Sequence, residues 1–269
     1  MAEHASEDIK LECYKCGTAN RFPIDRALED LTKVRCGKPA CRAELLLARG
    51  EPLPGLDAAA LTHPFDRTAL EALQAIPLMD KIIAKMMGAT FDQHMLFQQM
   101  ANSVRVSESQ MPRLWALYLE ACGRIDVAPV PLFVSQSPTL NASAAGAGSP
   151  VITVTTGLLD ALDDREILGV LGHELTHVKL GHVLYRTLAN LLITGGLAGL
   201  ERMLGIGALL IKPVQLALYR WVQMAELSAD RGELIAVGSL HTTISAHLRL
   251  SGGSRRFEED TSVEAFLAQ

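Results

Sequence analysis

The run His173-Glu174-Leu175-Thr176-His177 constrains this chain more than any other feature. On an α-helix, residues four apart share a face, so both imidazoles can reach one metal ion. Glu174 follows the first histidine and can point at a metal-bound water instead of at the metal. Zinc lowers the pKa of such a water to about 7, and a neighbouring carboxylate can take its proton. The alternative is an ordinary helix carrying two histidines and a solvated glutamate. The flanking residues argue against it.

Asp163 or Asp164 can cap the N-terminus of this helix, and Asp163 with Glu166 fits a capping box. Ile167, Leu168, Val170, Leu171, Leu175, Val178 and Leu180 then form a strongly apolar cylinder, as a buried central helix requires. Gly169 and Gly172 leave room near His173 for another element to approach closely. Each costs about 1 kcal/mol relative to Ala, which points to a packing reason. His182 stands five residues after His177, a spacing that does not align it as a third ligand.

A zinc peptidase needs a third protein ligand and an open fourth position for water. Glu226 is the best candidate, with Asp230 one turn further along the same face. Pro213 suits the first turn of that helix and Gly238 its end. Glu226 would bind the metal, and Asp230 would accept the other ring N–H of a ligating histidine. Ala225 and Ala229 are small enough for two helices to pack tightly. A surface carboxylate pair on a solvated helix is the alternative, since Glu-x-x-x-Asp is a common pattern.

Taken together, His173-Glu-Leu-Thr-His177, then Gly181-His182-Val183-Leu184-Tyr185, then Glu226-Leu-Ser-Ala-Asp230-Arg231 resemble the gluzincin metallopeptidases that include HtpX and the CAAX prenyl endopeptidases. Leu140-Asn141-Ala142 and the segment from Val151 to Leu159 share the resemblance, which covers roughly residues 60 to 250. It implies a zincin-like domain with zinc ligands His173, His177 and Glu226, general base Glu174, and Asp230 supporting a ligand. It also implies a polypeptide substrate and a part in protein quality control. Thr176 stands where many members have Gly or Ala, a variable position.

Val151-Ile152-Thr153-Val154-Thr155, between Pro150 and Gly157, reads as a strand. Pro150 cannot donate to a ladder, so the strand's start is expected at a sheet edge. An edge strand before the metal helix could pair with an extended peptide; an ordinary structural strand is the alternative. Asn141 could line the cleft through its amide, or serve as a turn residue.

A second constellation lies near the N-terminus. Cys13 and Cys16 form one knuckle, and Cys36 and Cys41 a wider second one, the spacing of a four-thiolate zinc ribbon. A disulfide framework is the alternative, disfavoured because no signal peptide precedes it. A segment of about 45 residues builds little core, so structural zinc would be needed to fold it. Its second half is basic, through Lys33, Arg35, Lys38, Arg42 and Arg49. Cys122 falls in an apolar helix pattern and reads as a buried thiol.

With a net charge of −5 over 269 residues, no general nucleic-acid binding is expected. The methionines Met86, Met87, Met95, Met100 and Met111 read as core filler. Between the two motif helices, residues 188–200 and 203–211 carry no charge, but each run is shorter than the ~20 residues of a spanning helix. Glu201 and Arg202 separate them. Such segments suit a lid, self-association or peripheral membrane contact, in a cytoplasmic protein that is soluble or membrane-associated at its surface.

The expected fold is therefore mainly α with a small β-sheet (α+β). A zinc ribbon occupies residues 1–50, Glu51 to Gly55 form a linker, and residues 60–269 form a zincin-like metallopeptidase domain. Two zinc ions are expected, one catalytic and one structural. Tyr219, Arg231, His241 and His247 are candidate donors to the oxyanion. A different class of function, a latent or inactive peptidase-fold adaptor working through its ribbon, is opposed by the retention of Glu174 with all three ligands. The double substitution Cys13→Ser with Cys16→Ser should remove about one equivalent of bound zinc and leave peptidase activity largely intact. Metal analysis that still finds two zinc ions per chain would refute the ribbon.

Overall fold

The computed structural model describes residues 8–12, 18–23, 35–41, 53–76, 79, 83, 89–192, 208–254, 260–262 and 265–266. Near the N-terminus, β1 (Asp8–Glu12) and β2 (Ala19–Pro23) pair antiparallel. Asn20 of β2 holds the second cysteine knuckle, accepting the Gly37 N–H at 2.8 Å while its amide nitrogen lies 3.9 Å from Cys36 Sγ. Cys36 is buried there, and the Cys41 N–H closes a turn onto the Lys38 carbonyl at 2.9 Å. Cys13 and Cys16 lie outside the described residues.

Among the described residues, α1 (Ala58–Leu61), α2 (Pro64–Gln74) and α3 (Ala89–Asn102) precede the four-stranded sheet. The sheet contains β3 (Ser103–Arg105), β4 (Leu132–Ser135), β5 (Ala142–Ala145) and β6 (Val151–Thr155). Between β3 and β4 runs α4 (Pro112–Ile125), with its proline in the first turn as expected. After β6 come α5 (Thr156–Ala161), α6 (Asp164–Lys179) and a helical run over 183–192. Then follow α7 (Ala208–Val237) and α8 (Leu240–Leu250). The fold is mainly helical with a small mixed sheet, the α+β class expected from the sequence.

Strand order is β3-β4-β6-β5, with β4 and β6 parallel and both outer pairs antiparallel. This corrects the edge assignment of Val151 to Val154. β6 is an inner strand, with Val151, Ile152 and Val154 in the core. Pro150 stands just ahead of the strand, so its missing N–H removes no ladder bond. A run of β-branched residues buried on both faces is what an inner strand needs. The edge nearest the motif helix is β5, whose Ala-Ser-Ala-Ala sequence carries no strong strand signal.

The capping box forms at Asp163: its side chain accepts the N–H groups of Arg165 and Glu166, and Glu166 Oε2 accepts the Asp163 N–H at 2.9 Å. The other oxygen of Glu166 accepts from Ser245 and from Arg249 Nε at 2.7 and 2.8 Å, tying α8 to α6. One core joins α4, the sheet and α6 through Tyr118, Ile125, Leu132, Ile152, Leu171 and Leu175. A second gathers Leu73, Leu188, Leu218, Trp221 and Ala225 where α2, the 183–192 run and α7 meet.

The closest helix contact is between α6 and α7. A Cβ on Gly172 would lie 2.2 Å from Ala236 Cβ, and one on Gly232 only 1.7 Å from Thr176 Oγ1. Ala225 and Ala229 of α7 are fully buried as well, Ala225 within the second core. The α7 helix begins at Ala208, five residues before the proline read as its start, so Pro213 is interior. Nothing in the 208–212 sequence marks a helix start, whereas proline is commonest in the first turn. Gly238 ends the helix as expected, at φ 65° with its N–H 2.7 Å from the Leu234 carbonyl.

Two of the five methionines read as core filler are exposed, Met100 and Met111, while Met86 and Met87 fall outside the described residues. Of the charge-free runs between the motif helices, 188–192 is helical and 208–211 opens α7; residues 193–207 lie outside the description. Among the described residues no helix is long and apolar enough to cross a membrane.

In an open helix Gly232→Ala would stabilise by up to about 1 kcal/mol. Against the Thr176 side chain it should instead destabilise by about 1–3 kcal/mol, through overpacking. Chemical denaturation of the variant beside wild type measures the sign.

Candidate metal centre

His173 and His177 lie one turn apart on α6 with ring centroids 4.9 Å apart and Nε2 atoms 3.2 Å apart. The α6–α7 seam brings Glu226 against them: Oε2 is 3.1 Å from His173 Nε2 and Oε1 is 3.6 Å from His177 Nε2. A tetrahedral ion with bonds of about 2.1 Å needs donor atoms about 3.4 Å apart. The three separations bracket that value, so the donor set fits a single divalent cation. Two imidazoles and one carboxylate are also the donor types of a catalytic zinc site.

Acidic groups enclose the far side of His173. Its Nδ1 is 3.3 Å from Asp230 Oδ1 and 3.7 Å from Glu233 Oε2. Burial alone would push His173 towards the neutral form, but its bonds to Asp230, Glu226 and Glu233 outweigh that and raise its pKa well above the ordinary value. His177 shifts the other way, because burial dominates and Arg186 and His173 add repulsion. The Glu226 carboxyl is opposed by burial but held far below the usual carboxylate range by its bonds to both histidines and by Arg186. Positive charge is therefore favoured at this spot.

Glu174 is buried, and its Oε2 accepts the Ala144 N–H of β5 at 2.8 Å. A cleft of about 480 Å³ opens beside it, lined among others by Leu140, Asn141, Ala142, Arg186 and His247. Asn141 faces this cleft as anticipated, whereas Val151 to Val154 do not line it; Ala142 of β5 takes that place. Of the oxyanion candidates, His247 alone reaches the cleft. Tyr219 accepts from Gln215, Arg231 donates to the Thr62 carbonyl, and His241 borders a separate cavity.

Sequence reasoning missed Glu233 and Arg186. Glu233 stands seven residues after Glu226, on the same helical stripe as Asp230, a spacing that could have revealed it. Its Oε2 lies 2.9 Å from His247 Nε2, and bonding to His173 and His247 overcomes burial to keep its carboxyl below the ordinary value. The same bond, against burial, raises the pKa of His247. Arg186 lies 3.7 Å from Glu174 Oε2 and 3.8 Å from Glu226 Oε1, and its buried Nη1 has no hydrogen-bond partner among the described residues. No local pattern marks it.

Residues 108–253 match the model of peptidase family M48. A chloroplastic plastoglobule-localized metallopeptidase 48 from Arabidopsis thaliana is 32% identical over 243 residues, 90% of this chain and 68% of that protein. A Protease HtpX homolog 2 from Methanosarcina acetivorans is 32% identical over 171 residues, 55% of this chain and 58% of that protein. A Protease HtpX homolog from Moorella thermoacetica is 30% identical over 214 residues, 69% of this chain and 71% of that protein. With the family match spanning more than half its length and covering both motif helices, the chain belongs to peptidase family M48, the metal-dependent peptidases.

Proposed function

We propose that the protein is a zinc-dependent endopeptidase in which His173, His177 and Glu226 hold the catalytic ion and Glu174 is the general base. The observation that carries this reading is that His173, His177 and Glu226 bring one donor atom each to a single point, at the edge of a cleft that His173, Glu174 and Glu226 line. When bound, zinc supplies Lewis acidity and acidifies water to a pKa of about 7. Glu174 is anchored through Oε2 by the Ala144 N–H, which leaves Oε1 to take the proton of the attacking water and pass it to the leaving amine. Asp230, supported by Glu233, orients His173 through Nδ1. His247 and Arg186, whose Nη1 makes no hydrogen bond among the described residues, are candidate donors to a developing oxyanion or a substrate carbonyl.

An extended peptide is the substrate form the cleft suits. Ala144 directs its N–H away from β6 towards Glu174, and strand alternation points the peptide groups of Ala142 the same way. A chain laid along this edge would be read mainly through its backbone. Folded proteins seldom offer such a segment, so unfolded polypeptide is the proposed substrate, in keeping with quality control. The adaptor alternative gains no support from this arrangement.

The ribbon reading is retained as a proposal. Cys36 and Cys41, on a turn anchored by Asn20, would join Cys13 and Cys16 around one structural zinc. We place the enzyme in the cytoplasm, soluble or held at a membrane surface, with the charge-free runs beyond Leu192 as the contact and as a surface for self-association.

Glu174→Gln keeps the side chain's shape and removes the base. It should retain full zinc content while cleavage of an unfolded protein falls by roughly 10²–10⁴-fold. Equal cleavage by both proteins would sink the mechanism. His247→Ala should lower kcat by roughly 10²-fold with little change in KM, the signature of a lost transition-state donor. A change confined to KM would remove His247 from that role.

A further inference from the structure

Asp66, in the first turn of α2, is completely buried, and a carboxylate in such a place requires partners. It has three. Trp221 Nε1–H donates at 3.0 Å, the Ser228 hydroxyl at 2.5 Å, and His182 Nε2 lies at 3.1 Å. Burial pushes the Asp66 carboxyl up, but the bonds from His182, Ser228 and Trp221 more than offset it, so the group is ionised. His182 is also buried, with its ring edge-on to Trp221. Its other nitrogen, Nδ1, is 3.0 Å from Nδ1 of His177.

Proton positions along this chain follow from valence. An ionised carboxylate only accepts, so His182 carries its hydrogen on Nε2. In its neutral form His182 has that one N–H, and its Nδ1 is then an acceptor. His177 must then donate through Nδ1–H, and its Nε2 keeps a lone pair. That lone pair faces His173 Nε2 and Glu226 Oε1. The reverse tautomer of His182 would turn the Nε2 lone pair towards Asp66, which has no hydrogen to give it, and leave Asp66 short of a bond.

Chain geometry makes the contact. α6 stops at Lys179, and Gly181 at φ 70° turns the backbone so that His182 falls beside His177 instead of continuing along the helix face. Neither Asp66 nor His182 lines the cleft. The two histidines of the motif are thus braced from different parts of the fold. Asp230 on α7 supports His173, and α2 supports His177 through a relay. Asp66 also lies outside the segment 108–253 that matches the family model.

We propose that Asp66 and His182 are positioning residues of the metal centre, holding His177 in the tautomer and orientation that present Nε2 to the ion. The inference rests on the reading of His173, His177 and Glu226 as metal ligands.

The test compares the full-length wild type with His177→Ala, His182→Phe, His182→Gln and Asp66→Asn. The zinc equivalent missing from His177→Ala defines the site, and chelator competition measures its dissociation constant. His182→Phe and Asp66→Asn should weaken zinc binding roughly 10- to 100-fold. His182→Gln, whose side-chain carbonyl can still accept from His177, should stay within a few-fold of wild type. Histidine ring-nitrogen NMR of the wild type should show the hydrogen on Nδ1 of His177 and on Nε2 of His182. A merely structural role would lower the unfolding midpoint of the metal-free protein without changing zinc affinity or tautomer.

Zinc affinity within about twofold of wild type in both His182→Phe and Asp66→Asn would overturn the proposal. So would a hydrogen on Nδ1 of His182. If the Phe variant does not fold, the near-isosteric Asp66→Asn and the wild-type tautomers decide. If His177→Ala loses no zinc, the ligand reading itself fails; a normal wild-type site with unaffected variants defeats the relay alone.

Discussion

The distance between α6 and α7 governs everything at this site. Gly172 against Ala236 and Gly232 against Thr176 let the two helices approach closer than ordinary side chains would allow. That approach brings one oxygen of Glu226 to 3.1 Å from His173 Nε2. Each glycine costs about 1 kcal/mol of helix propensity, and the buried alanines of α7 give up apolar bulk. The helices surrender intrinsic stability so that three donors can surround one ion.

Electrostatics then makes the gap selective for a cation. Glu226, Asp230 and Glu233 occupy one stripe of α7, and all three lie within 4 Å of a ring nitrogen of His173. In water such a cluster would repel itself. In a partly buried seam it lowers the free energy of whatever positive charge is present. Arg186 and His247 stand at the cleft, Arg186 beside Glu174 and Glu226 and His247 beside Glu233.

The cleft is completed by an unremarkable strand. β5 is short and made of small residues, and its role comes from being the outer strand beside α6. Its Ala144 N–H holds Glu174, so the carboxylate beside the two histidines is fixed by the same strand that borders the cleft. Small side chains there keep the edge low enough for another backbone to lie along it.

Short-range periodicity is legible in the sequence. A four-residue spacing puts His173 beside His177 and Glu226 beside Asp230, and the Asp163–Glu166 box sets where α6 begins. Helix geometry is local, so these relations hold in any fold that keeps the helices. Tertiary structure decided the rest. The rank of β6 within the sheet depends on which strands flank it, and a proline just outside the ladder carries no information about that. Arg186, seven residues past the end of α6, and Asp66, more than a hundred residues upstream of His177, belong to the site only because the chain folds back. Long-range contacts of this kind leave no periodic trace. They are selected by packing and by the need of each buried charge for a partner, and both are properties of the assembled core.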